Sequence, residues 1–165
     1  MTRANQPIRI GPFVDTVVVR FIYCNQMRVL AVDLGTKRIG TAISDELGIT
    51  VRALETIHRS GVAGDIARLK SLVEELGARA VVVGLPLRMD GAIGDAAERT
   101  LSFVERLRNE LAVEVFTQDE RLTSYEAERL MLERGMKRGQ RRARSDEFAA
   151  MIILQDFLST SKIKK

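Results

Sequence analysis

The spacing of apolar residues changes once along this chain, and the change limits what it can fold into. From Met27 to Ile57 apolar residues come in short runs broken by turns; from Ile66 onward helical spacing alternates with single apolar runs. Met27-Arg-Val-Leu-Ala-Val-Asp33 reads as a buried strand, Leu34-Gly-Thr-Lys37 as a turn, and Arg38–Ser44 as a second strand. After a turn at Gly48, Ile49–Ile57 reads as a third. Strands joined this closely form an antiparallel meander.

Beyond it, Ile66, Leu69, Leu72, Val73 and Leu76 mark a helix that Gly77 stops. Ala80-Val-Val-Val-Gly84 is apolar without alternation, the pattern of a parallel strand covered on both faces. Pro86 ends it and Asp90-Gly91 turns the chain. A helix is expected from Ala92 to Leu111, with Ala96, Leu101, Val104 and Leu107 inward, followed by a strand at Val113–Phe116. Thr123 and Glu126 fit a capping box for a helix reaching Gly135. Ser145 can cap a last helix from Asp146 to Leu158. The order βββ-α-β-α-β-α-α predicts an α/β domain: a five-stranded mixed sheet, meander first and parallel strands after, with helices on both faces.

The chain's 165 residues suit one domain with a proper core. We expect that domain at 27–160. Residues 1–26, with Pro7, Gly11 and Pro12, read as a poorly packed extension, and 161–165 as a basic tail. Asp15 and Arg20 interrupt the early apolar run, so it does not make a signal-peptide core. No apolar run reaches the ~18 residues of a membrane span, and a cytoplasmic protein is expected.

Catalytic options are narrow. His58 is the only histidine and Cys24 the only cysteine, which excludes a disulfide within the chain, a Cys-rich zinc site and most histidine catalysis. Carboxylates remain. Asp33 ends a buried apolar run, where a charge needs a hydrogen bond, a partner or a cation; it is also suited to forming the turn. Glu120 follows the fifth strand, with Asp119 competing for the same role. Asp146 opens the last expected helix, where the dipole alone would favour an acid; Glu147 is its neighbour, about 100° around the helix. If the first strand, the end of the fifth and the last helix converge, three carboxylates meet there and repel one another without a cation. Oxygen-only ligands suit Mg²⁺ or Mn²⁺, which support in-line phosphoryl displacement.

The net charge of +4 points weakly to a polyanion, and its distribution is more telling. Arg134, Lys137, Arg138, Arg141, Arg142 and Arg144 are crowded together, with no acid between Arg134 and Asp146. This reads as a phosphate-binding loop, or as a solvated one. Lys37, Arg38 and Arg121 stand beside the candidate acids and complete the expected nucleic-acid contacts. Tyr125 and Phe148 suit either base stacking or core packing.

Four segments, in order, resemble the YqgF family: Asp33-Leu-Gly-Thr-Lys-Arg-Ile-Gly40, Val83-Gly-Leu-Pro86 with Asp90-Gly91, Asp119-Glu-Arg-Leu-Thr-Ser124, and Asp146 with Ala149-Ala-Met-Ile-Ile-Leu154. The likeness spans Met27 to Leu158. That family is described as Holliday-junction-resolvase-like and as nucleases of pre-16S rRNA. The resemblance implies a ribonuclease H-like fold and Mg²⁺- or Mn²⁺-dependent cleavage of structured nucleic acid. It further implies processing of the 5′ end of pre-16S rRNA, with the small ribosomal subunit precursor as a partner. It carries Asp33, Glu120 and Asp146 over as metal-binding catalytic acids. Resolvases of this superfamily usually present a fourth carboxylate, which Glu147 is not clearly placed to supply, so one or two metals stay open.

Three other readings are weighed. An actin-like ATPase also begins Asp-x-Gly-Thr but needs two such domains, and the motif occurs once here. A non-catalytic RNA-binding assembly factor would keep the fold without the chemistry. A DNA junction resolvase would share the chemistry and act as a homodimer; monomer and homodimer are both open.

Overall fold

Val29–Leu34 (β1) lies at the centre of the sheet, and its pairings set the rest of the architecture. In the computed structural model, residues 27–121 and 123–162 are described; the expected extension 1–26, with Cys24, and residues 163–165 of the tail lie outside them. β1 runs antiparallel to Arg38–Ser44 (β2), pairing Asp33 with Gly40, and parallel to Ala80–Leu85 (β5), pairing Val32 with Val83. Glu114–Asp119 (β6) adds parallel to the far side of β5. Val51–Ala53 (β3) and Ile57–His58 (β4) both pair antiparallel with β2. The order is β3-β2-β1-β5-β6, with β4 beside β2.

The sheet therefore has six strands rather than five, because the expected third strand splits. Ala42 pairs with Ala53 and Ile39 with Ile57. Opposite the same stretch of β2, the partner chain carries one extra residue, which breaks continuous pairing as a bulge does. Thr41 spans the break: its backbone carbonyl accepts from Leu54 N–H and its hydroxyl donates to the Glu55 carbonyl.

The alternation of strand side chains divides the core into two layers. Leu30, Val32, Ile39, Val81 and Val83 face Val62–Leu76 (α1) and Asp95–Glu110 (α2). Val29, Ala31, Ala42, Ala80 and Val82 face the other way, onto Ala150, Ile153, Leu154 and Phe157 of Arg138–Lys162 (α4). α1 ends at Gly77 as expected. α2 starts later than expected because Arg88–Ala92 forms a closed turn, with Arg88 N–H on the Ala92 carbonyl and Ala92 N–H on Asp90 Oδ1. That shift puts Ala97 inward and leaves Ala96 exposed. β6 runs on to Asp119, past the expected end at Phe116, because it stays paired as far as Leu85–Asp119.

The largest departure is at the basic segment. Only its start, 134–137, is a loop: α4 begins at Arg138, so Ser145 and Asp146 lie inside the helix and neither caps nor opens it. Arg, Gln and Ala are good helix formers, and Thr123–Glu133 (α3) gives their helix something to pack on. Ala127 and Met131 of α3 bury against Phe148 and Ile152 of α4 in a small core of their own. Arg138 and Arg144 are exposed on α4, and Arg134 and Arg144 lie over the Phe148 ring.

Candidate active site

Strand alternation places the site. Asp33 shares the α4-facing parity of Val29 and Ala31, and its cross-strand partner Gly40 faces the same way. One step beyond the Val32–Val83 pair, Asp33 is level with Gly84 of β5, and Gly84 pairs with Gln118 of β6. Glu120 follows β6, its N–H on the Leu85 carbonyl at 3.2 Å. The site thus lies at the carboxyl ends of the parallel strands β1, β5 and β6, the usual ligand position in open α/β sheets.

Two glycines make the space. A Cβ on Gly84 would fall on Glu120 Oε2 and against Ile153 Cδ1. A Cβ on Gly40 would fall on the Asp146 backbone carbonyl. The bare strand surface on one side of Asp33 admits the Glu120 side chain, and on the other side the α4 backbone.

The three acids have different electrostatic settings. Burial, and then the Asp146 charge, push the Asp33 carboxyl up to about 6. Burial, then Asp33 and Asp119, push Glu120 up to about 8. Asp146 has a cation beside it: Arg38 Nε lies 2.8 Å from its Oδ2. The contact is an ion pair without hydrogen-bond geometry, so buried Oδ2 has no hydrogen-bond partner.

Asp33 and Asp146 open onto a cleft of about 400 Å³ between α3 and α4, together with Arg138, Arg141, Ser145, Ala127, Glu128 and Met131. Glu120 reaches Asp33 from the β6 side. Among the described residues no three acidic, histidine or cysteine side chains form a ready metal-ligand cluster. The donor chemistry nonetheless fits a hard divalent cation. Burial holds the Asp33 and Glu120 carboxyls above their ordinary range, and Asp146 presents a buried oxygen with no hydrogen bond.

The other expected residues divide. Arg138 and Arg141 line the cleft. Lys37 is exposed on the β1–β2 turn, and Lys137 is exposed just before α4. Arg142's side chain lies outside the described residues. Arg121 folds back on Asp119 at 2.8 Å and lines a separate cleft with Met89 and Gln118. Asp119 is therefore engaged, and Glu120 is the acid turned inward. Glu147 is paired with Arg144 at 3.0 Å. Phe148 is only 3% exposed, with Arg134 and Arg144 over its ring, which makes it a packing residue; Tyr125 is exposed. Gly84 and Gly40 each lie one strand away from Asp33, a relation visible only once the pairing is known.

A mixed sheet with α4 across one face is the architecture of the ribonuclease H-like fold. Residues 27–160 match the profile of RuvX, described as Holliday junction resolvase. The chain belongs to this family. It is 46% identical over 136 residues to a protein of Acetivibrio thermocellus named "Putative pre-16S rRNA nuclease", covering 81% of this chain and 96% of that one. A Geobacillus kaustophilus protein of the same name is 41% identical over 138 residues, with 82% and 100% covered. Thermus thermophilus RuvC shares the fold at 17% identity and a TM-score of 0.51, over 81% of this chain and 98% of that one. Among the described residues, no helix is long and apolar enough to cross a membrane.

Proposed function

We propose that this nuclease trims the 5′ end of pre-16S rRNA in the cytoplasm, with Asp33, Glu120 and Asp146 holding Mg²⁺ or Mn²⁺. The observation that carries the reading is the convergence of Asp33 and Asp146 on one cleft with Arg138 and Arg141, while Glu120 crosses Gly84 toward Asp33. A divalent ion held there supplies an activated water and charge stabilisation for the leaving oxygen. The chain's own groups do the rest. Arg138 offers its guanidinium fork to backbone phosphates on the approach, and Arg141 the donors that its Nη1 contact with the Met136 carbonyl leaves available. Arg38 keeps Asp146 paired and stands one residue from the exposed Lys37. Asp33 is held on the central, buried strand of the sheet.

RNA is favoured because the two curated relatives described above carry a pre-16S rRNA nuclease name. Resolution of four-way DNA junctions is the second reading, favoured by the description of the matching family. The deciding experiment incubates the protein with pre-16S rRNA and with a four-way DNA junction, each with Mg²⁺ or Mn²⁺ and with chelator. Cleavage of the RNA alone is expected. Asp33→Asn, Glu120→Gln and Asp146→Asn should each abolish it while sparing the fold. Activity surviving in all three removes the catalytic assignment. Residues 27–160 are proposed as the working unit, so a chain begun at Met27 should fold and cleave.

A further inference from the structure

Arg59 follows β4 and makes three contacts that the site described above does not use. Its backbone N–H donates to the Lys37 carbonyl at 3.1 Å, and its Nη1 donates to the Gly35 carbonyl at 3.0 Å. One residue thus grips two carbonyls of the β1–β2 turn. Its Nε lies 2.8 Å from Asp65 Oδ2 on α1, and Asp65 Oδ1 accepts the Ser60 N–H at 2.9 Å. The Asp65 side chain is 0% exposed and that of Arg59 24%.

A buried ion pair is a poor source of stability, since apolar replacements of similar volume are often neutral or better. Its strength is geometric. The guanidinium is a rigid planar fork, so fixing Nε on Asp65 also fixes where Nη1 points. What it points at is a short turn with Asp33 at one end and Arg38 at the other. The turn is closed by Gly35 N–H on the Asp33 carbonyl, and Arg38 reaches from it to Asp146. The clamp comes from α1, on the sheet face opposite α4.

We propose that Arg59, anchored by Asp65, is a positioning residue that holds the β1–β2 turn, and with it Asp33 and Arg38, in the geometry cleavage requires. The proposal rests on the reading of Asp33 as a catalytic acid. Reacting groups tolerate displacements of well under about 1 Å before rates fall, so loss of the clamp should act on turnover more than on substrate affinity.

The test is the double variant Arg59→Met with Asp65→Asn. It leaves no charge unpaired, and the asparagine still accepts from Ser60 N–H. Expected are a folded protein melting within a few degrees of wild type, a kcat on the cleaved nucleic acid about tenfold lower, and a KM within about twofold. Amide exchange across residues 34–38 should quicken. Arg59→Lys keeps a charge opposite Asp65 but cannot also reach Gly35, and should lower kcat with KM and melting unchanged. A folded double variant with wild-type kcat overturns the proposal, as does a loss confined to KM. If the double variant does not fold, Arg59→Lys decides: wild-type kcat overturns the clamp, reduced kcat supports it. Asp33→Asn is measured alongside. An inactive Asp33→Asn beside a fully active clamp variant removes the clamp alone; an active Asp33→Asn removes the catalytic reading and the proposal with it.

Discussion

Glu120 occupies the space that a side chain at position 84 would fill: its Oε2 lies where a Cβ on Gly84 would be, with Ile153 Cδ1 closing in beside it. Glycine at that point of β5 is thus part of the acid's binding pocket in the fold. Gly84→Ala should displace Glu120 and strain the α4 contact, at a cost of about 1–3 kcal/mol from overpacking. Cleavage should fall further than stability does. Melting curves and turnover of the same preparation check this; wild-type turnover would show that Glu120 does not need its position.

Stability of the metal-free protein should depend on Glu120 and pH. Its carboxyl is held at about 8 against an ordinary 4.5, and Asp33 at about 6 against 3.8. Between those values the folded state keeps protons that the unfolded chain has released. Stability then falls as pH rises through roughly 4 to 8. In chelator, Glu120→Gln should flatten that decline, melting close to wild type at about pH 5 and above it at about pH 8. Parallel slopes for the two proteins would contradict the burial of this acid.

Divalent cations should act in the opposite sense. Mg²⁺ or Mn²⁺ competes with protons for the same oxygens, so its stabilising effect should grow as pH rises. At a concentration a hundredfold above Kd the gain is about 2.7 kcal/mol. Thermal shifts with and without the ion, repeated on Asp33→Asn and Asp146→Asn, measure it. Undiminished shifts in both variants would place the ion elsewhere.

Arg138 and Arg141 reach the cleft, so they should carry part of the salt-dependent affinity. Charge reversal of either should weaken nucleic-acid binding and reduce the slope of log affinity against log salt by roughly 1 or more. Reversal of Arg121, held on Asp119 outside that cleft, should change the slope less. Equal slopes for all three variants would dissolve the distinction.

Much of this arrangement is legible in the residues. Helix–strand alternation predicts the layers, and Asp33 at the end of an apolar run marks where charge meets core. What escapes is mostly set by contacts between distant segments. The split of β3 from β4 follows from one surplus residue opposite β2, which no local pattern shows. Ala96 and Ala97 look equally apolar until the Arg88–Ala92 turn sets the phase of α2. The arginines before Asp146 carry no apolar stripe, because the apolar contacts of their helix lie further on, from Phe148 against α3 and from Ala150 against the sheet. Arg59 and Asp65 look like ordinary surface charges; only the topology brings them under the β1–β2 turn.

The small core shared by α3 and α4, built on Ala127, Met131, Phe148 and Ile152, stands apart from the two layers that flank the sheet. The molecule is thereby divided between a platform and a grip. Substitutions on α3 can reshape its wall of the cleft while β1 and its acid stay where they are, whereas α4 carries Asp146 as well as the opposite wall. Selectivity and chemistry are therefore tied together through α4, and α3 is the side of the cleft that can change without moving an acid.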